Sequence, residues 1–248
     1  MASLRELEER RSYKLRLTAD RALRSLDETA AFLRERGLLT RTPDSALPSF
    51  FGACHEEPYL AGRGGFAEWP ATKYPWYFEV AERPDVHELW IHNGKSVLLT
   101  EETRRLADPI LRAELARVER EDPDWTRLLG HLAGAGPSTK EDRRVELGLK
   151  AKELKLTLSP LLRVGAVVRR GDEYLRYDQA YPDASAGGGL DELVVAAVRA
   201  AVVAPEPEVA RKWFSWRWLF EDGLVERLVA EGRLERAEPG WVTAPASA

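Results

Sequence analysis

A chain of 248 residues can bury enough surface for one large domain or two to three small ones. No apolar run is long enough to cross a bilayer, and a single cysteine, Cys54, excludes an internal disulfide framework and fits a reducing compartment. The formal net charge of −4 does not advertise a nucleic-acid partner, yet a net value can conceal a local basic face, so the distribution of charge decides.

The chain opens MASLRELEERR, charged from the start and without an apolar stretch of the secretory type, so a cytoplasmic location is expected. Amides are scarce, with Asn93 and Gln179 the only Asn and Gln, while Arg and Glu carry the surface. That depletion fits either heat adaptation or a codon bias towards Arg, Ala and Gly.

Leu23, Leu26, Ala30 and Leu33 recur at helical spacing ahead of Gly37, which predicts a first helix over Ala19–Arg36 with a glycine C-cap. From Arg41 to about Arg83 the chain is rich in proline and aromatics, too apolar for a disordered linker, with a short helix expected over Pro75–Val80. Two strand-like runs, Glu88–His92 and Lys95–Leu99, flank Asn93-Gly94, a strong hairpin signal. Thr100 is placed to cap a following helix, and Asp108-Pro109 reads as a restart, giving a helix to about Glu121 and a further one over Trp125–Leu132.

After the linker Gly134-Ala135-Gly136-Pro137, Ser138 and Glu141 have capping-box spacing for a helix over Thr139–Leu147. A second helix covers Lys150–Val164, where Pro160 must kink or split it, and two strands, Ala166–Arg170 and Glu173–Tyr177, flank Gly171-Asp172. Helix, turn, helix and two-stranded wing is the winged helix-turn-helix order. The order recurs after Ser185–Gly189, read as a flexible linker: helix Asp191–Val203, helix Glu208–Phe214, a helix from Ser215 to Gly232, and strands Arg233–Ala237 and Trp241–Ala244. The expected fold class is therefore α+β, mainly α, in tandem winged helix-turn-helix units. The expected division is an N-terminal winged-helix-like region with a β-hairpin over 1–133, a central winged helix over 134–184 and a C-terminal one over 185–248.

From about Val86 onward, about two thirds of the chain, the sequence resembles the bacterial AlkZ/YcaQ family of tandem winged-helix DNA glycosylases, and more closely its shorter AlkZ-related members. The stretches that carry the likeness are ELWIHNGKSVLLTEE, GPSTKEDRRVELGLKAKELKLTLSPLLRVGAVVRR with DEYLRYDQAYP behind it, and WLFEDGLVERLVAEGRLERAEPGWV. The first matches the family's strand–turn–strand element, which reads near R-G-T where this chain has Asn93-Gly94-Lys95-Ser96. The second matches its central winged helix with Tyr177, Asp178 and Pro182 at its end. One departure matters. The glycosylases carry a Q-x-Q or Q-x-D motif that positions the catalytic groups, and here the corresponding stretch, Ala46 to Gly52, holds no Gln. The resemblance thus implies a DNA-binding scaffold and leaves the enzyme question open.

Charge points the same way. Between Arg143 and Arg170 eight basic residues (Arg143, Arg144, Lys150, Lys152, Lys155, Arg163, Arg169 and Arg170) stand against two acids, Glu146 and Glu153. Lysines on a recognition helix and arginines on a wing are what phosphate contacts require, although a solvated helix face has the same composition. The resemblance adds the hairpin tip His92, Asn93 and Lys95 as a DNA contact, against the plainer reading of a turn that simply needs Asn-Gly. Trp69, Lys73 and Trp76 are candidates for a flipped-base pocket, against the more common role of such aromatics as core. His55, His87, His92 and His131 lack paired ligand spacing, so no metal is expected, and no nucleotide-cofactor fingerprint occurs, so no cofactor is expected. Asp44, Glu56 and Glu57 are carboxylates near the loop region that could assist sugar chemistry. The expected partner is duplex DNA, with no membrane and a monomer favoured. The alternatives are an active glycosylase with altered catalytic residues, or a winged-helix module that binds protein.

Overall fold

The computed structural model describes residues 3–55, 70, 72–92, 94–206 and 223–245. Its first helix, α1 (Leu4–Lys14), starts at a capping box formed by Ser3 and Glu6 and buries only Leu7. The helix expected over Ala19–Arg36 is shorter: a 3-10 turn covers Ala19–Arg21, and α2 (Leu26–Arg36) begins where the Ser25 hydroxyl accepts the Glu28 N–H. Gly37 ends it in the left-handed region at φ 81°, as its position predicts. There follow β1 (Leu38–Thr40), α3 (Phe50–Cys54), α4 (Tyr74–Ala81) and the hairpin β2 (Val86–His92) and β3 (Lys95–Thr100). Thr100 caps α5 (Glu101–Val118), which runs unbroken through Pro109 where a restart was expected.

The second set comprises α6 (Pro123–Ala135), β4 (Ser138–Thr139), α7 (Lys140–Glu146), α8 (Ala151–Arg163), β5 (Val167–Arg170), β6 (Glu173–Arg176) and the single turn α9 (Tyr177–Ala180). The capping box of α7 sits one residue later than its spacing suggested, on Thr139 and Asp142, each side chain accepting the other's backbone N–H. Pro160 neither splits nor ends α8. Gly171 takes φ 58° while Asp172 stays out of the positive-φ region, the combination a II′ turn requires between Arg170 and Glu173. The third set comprises α10 (Leu190–Ala201), β7 (Ala204–Pro205), α11 (Leu224–Ala230), β8 (Glu235–Glu238) and β9 (Trp241–Thr243). The helix expected over Glu208–Phe214, the Ser215 cap and the tryptophans Trp213, Trp216 and Trp218 lie outside the described residues.

The described residues form three antiparallel sheets that share one topology. In each, a short strand after the first helix pairs with the last strand of the hairpin, giving orders β1-β3-β2, β4-β6-β5 and β7-β9-β8. First helix, short strand, helices, then hairpin is the winged-helix order, so the chain is a mixed helix-and-sheet protein of tandem winged-helix units. Helix α6 packs Leu128, Leu129 and Leu132 into the same core as Leu154, Leu158 and Leu161 of α8, which draws it to the second sheet. A separate cluster joins Phe32, Leu33, Phe50, Phe51, Tyr77 and Leu98 around the first sheet.

The segment read as a flexible linker is instead fastened to α5. The Ser185 N–H donates to Asp108 Oδ2 (2.9 Å) and the Gly189 N–H to the Leu106 carbonyl (2.9 Å). Gly188, at φ 104°, lies so close that a Cβ would meet the Arg105 carbonyl oxygen at 2.8 Å. Pro109 has no N–H to donate to the Arg105 carbonyl, and the strap bonds to the next carbonyl along the helix, that of Leu106. Beside the strap, fully buried Tyr177 donates to Asp108 Oδ1 (3.0 Å), and Arg104 and Arg112 complete the set around this buried carboxylate. The Tyr177 of the family-like motif thus serves as a tie between α5 and the end of the second sheet.

Candidate nucleic-acid interface

Helix α8 is amphipathic, except that Leu156 is 64% exposed among its cations. Leu154, Leu158 and Leu161 face the core, while Lys152, Lys155, Ser159 and Arg163 fall on one face at steps of three or four residues. Lys152, Lys155 and Arg163 are exposed, as is Lys150 at the N-cap. Arg169 and Arg170 alternate across β5. Arg169 Nε donates to the Gly171 carbonyl (2.6 Å), which braces the guanidinium over the wing turn. Arg170 turns the other way, donating to the Ala180 carbonyl (2.8 Å) with its guanidinium 5.3 Å from the Tyr181 ring centre.

Where the first hairpin meets the second unit, a cleft of about 580 Å³ opens, and Trp90, Lys155, Arg163 and Arg169 line it together. Its apolar lining comes from Leu154, Leu158 and Leu162, and α7 adds Lys140 and Arg144. Of these cations Arg144 is already paired with Glu141, and Arg169 with Asp172 at 3.5 Å. Across Trp90 and Arg169, which line both, lies a second cleft of about 630 Å³ bounded by Arg41, Phe78, Arg83 and Tyr181.

Two expected contact residues are corrected by their burial. Arg143 is 0% exposed: its guanidinium bonds to the Ser138 carbonyl and stacks 4.4 Å from the Tyr174 ring centre. Burial lowers its pKa to about 10, and no phosphate can reach it in this arrangement. His92 is 1% exposed, with Nε2 3.0 Å from Asp44 Oδ1, so it is not a groove probe. The rest of the tip is also engaged. Lys95 Nζ bonds to Asp44, and Gly94 lies against Arg163, since a Cβ there would meet Arg163 Nε at 2.8 Å. The hairpin tip therefore docks on α8; Asn93 lies outside the described residues. Of the expected base pocket, Trp69 also lies outside them, Lys73 Nζ donates to the Cys54 carbonyl (2.6 Å), and Trp76 packs against the first core cluster. The core alternative describes Lys73 and Trp76 better.

Asp44 gains a definite setting. Burial would raise its pKa, but the hydrogen bonds and charge of His92 and Lys95 outweigh that and hold the carboxyl well below the usual carboxylate range. It opens on a cleft of about 630 Å³ shared with Glu8, Arg11 and Ser12 of α1 and with Trp241 of the third sheet. Glu56 and Glu57 lie outside the described residues. Among the described residues no group of three or more His, Cys, Asp or Glu side chains is placed to hold a metal ion, and no helix is long and apolar enough to cross a membrane. In the third unit Arg227 and Arg233 pair with Asp191, and Arg236 with Glu206 and Glu226.

No protein-family model matches the chain, and no curated protein matches it. Among solved structures, that of the Streptomyces sahachiroi DNA glycosylase AlkZ superposes with a TM-score of 0.52 over 94% of this chain and 67% of its own, at 16% identity. The likeness is one of fold, and it runs through almost the whole chain rather than through the C-terminal two thirds alone. Trp90 and Lys140, both lining the cleft, were missed in the sequence. Trp90 carries only the signal of a half-buried strand position, and its neighbours come from α7, α8 and β5.

Proposed function

We propose that this protein binds duplex DNA and is a distant relative of the AlkZ/YcaQ winged-helix glycosylases, akin to the shorter members without the Q-x-Q or Q-x-D motif. The observation that carries the reading is the single cationic face of α8, Lys152, Lys155 and Arg163, continued by Arg169 of the wing, on a chain of net charge −4. A helix presenting such a face beside a basic wing suits phosphate contacts along a groove. Lys150 and Arg170 extend the surface at its two ends. We take the units as 1–122, 123–184 and 185–248, moving α6 out of the expected first unit (1–133) because it packs on α8 and β6 of the middle one. We take the protein to act as a cytoplasmic monomer. Titrating labelled duplex, nicked and alkylated DNA at low salt tests the reading: binding to at least one is expected, and binding to none overturns it.

A second reading, base excision with altered catalytic residues, is favoured by Asp44. It is held ionised, opens on a cleft, and stands just ahead of the stretch that replaces the glutamine motif. A fixed carboxylate suits stabilisation of the positive charge that develops on a sugar as an N-glycosidic bond breaks. Abasic-site formation on alkylated DNA, lost in Asp44→Asn with DNA affinity retained, is the expected outcome. No abasic sites with the wild-type protein would remove this reading and leave the first intact.

A further inference from the structure

We propose that the cleft between the first hairpin and α8 receives a single unpaired nucleotide of a bound DNA strand, stacked on Trp90. The inference rests on the reading that the α8 face binds DNA, and it adds which DNA is preferred. Three features of the cleft converge. First, its lining combines apolar and cationic groups, Trp90, Leu158 and Leu162 with Lys155, Arg163 and Arg169, and its carboxylate, Glu141, is paired with Arg144. An unpaired nucleotide presents the same pair of surfaces, a flat apolar ring and a phosphate on each side of it. Second, the volume of about 580 Å³ suits one small ligand group; a duplex instead lies along the exposed face of α8 outside it. Third, the indole Nε1 of Trp90 is buried without a hydrogen-bond partner. An indole N–H is a donor only, and a buried donor is normally satisfied. A base stacked on the indole face leaves this in-plane N–H to the side, where a sugar or phosphate oxygen of the same strand is an acceptor.

The choice of Trp90 over the other ring in the cleft follows from what covers each. Tyr174 already has the Arg143 guanidinium 4.4 Å and the Lys140 ammonium 5.6 Å from its ring centre. Trp90 sits half-buried on the ridge between two clefts, with Arg169 beside it in both. An acidic peptide would match the cations but leave the aromatic ridge unused. A strand with one base turned out of the stack uses both.

The test compares two duplexes of equal length, one fully paired and one with a single unpaired 2-aminopurine, bound to the full chain at the same salt concentration. Binding to the bulged duplex about tenfold tighter is expected, with 2-aminopurine fluorescence quenched by stacking. Trp90→Ala should bring the bulged duplex to within about twofold of the paired one while affinity for the paired duplex stays put; Trp90→Phe should keep most of the preference. Should Trp90→Ala unfold, Ser159→Trp, which fills the cleft mouth from α8, should erase the preference equally. Equal affinity for both duplexes, unquenched fluorescence, or a preference that survives both Trp90→Ala and Ser159→Trp overturns the inference and leaves the DNA-binding reading standing. Failure to bind either duplex overturns that reading itself.

Discussion

Arg143 and Lys155 sit on neighbouring helices with the same charge and opposite roles. Arg143 spends its charge inside the protein, on one carbonyl and the Tyr174 ring, with Nε and Nη1 buried and without hydrogen-bond partners among the described residues. Replacing such a group by an apolar one of similar size is commonly neutral or stabilising. Arg143→Met should therefore leave DNA affinity within about twofold and the urea midpoint unchanged or raised. A large drop in affinity would return Arg143 to the interface. Lys155→Ala should weaken binding whatever the DNA sequence and reduce the slope of log affinity against log salt by about one. Asp44 gives a prediction in pH. Its folded pKa is depressed, so its contribution to stability is present above the unfolded value of about 4 and is lost as pH falls through the lower folded value. The urea midpoint of wild type should exceed that of Asp44→Asn at pH 7, and the gap should close as pH drops below about 4. A gap that persists at acid pH would contradict the ionised pair.

At the scale of elements, hairpins and caps were the legible part. Gly94 and Gly171 stand where a two-residue turn needs positive φ, and Thr100 and Gly37 cap helices from positions that spacing alone picks out. Helix α1 escaped because it buries only Leu7 and so lacks an apolar stripe, although Ser3 and Glu6 spell its capping box. Strands β1, β4 and β7 escaped because two or three residues carry no period, and pairing with a distant hairpin decides them. The cations of α8 could be read from helical spacing. The burial of Arg143 could not, since Tyr174 reaches it only through the β4–β6 pairing. Composition misread Ser185–Gly189 as a free linker, and the strap can be tested directly. Gly188→Ala sets a Cβ against backbone atoms of Arg105 and Leu106 at 2.8 Å in a left-handed conformation, whereas Gly187 has open space. A loss of about 1–3 kcal/mol is expected for Gly188→Ala in urea unfolding, and close to none for Gly187→Ala. Equal effects would mean the strap is not held.

At the scale of the molecule, an acidic chain presents a basic stripe, because its acids are spent elsewhere. Asp108, Glu119, Asp191 and Glu206 are paired with arginines at unit junctions and within the third unit, while Lys150, Lys152, Lys155 and Arg163 stay exposed along α8. Attraction along that stripe must be electrostatic and therefore salt-dependent. The central claim, DNA gripped by α8 and its wing, is tested most directly by fluorescence anisotropy of a labelled duplex between about 50 and 200 mM salt, with wild type and the Lys152→Glu, Lys155→Glu, Arg163→Glu triple variant. The account predicts a linear fall of log affinity with log salt for wild type, and for the triple variant a far weaker affinity and a shallower slope by about three, with unchanged circular dichroism. Wild-type affinity and slope in the triple variant would contradict it.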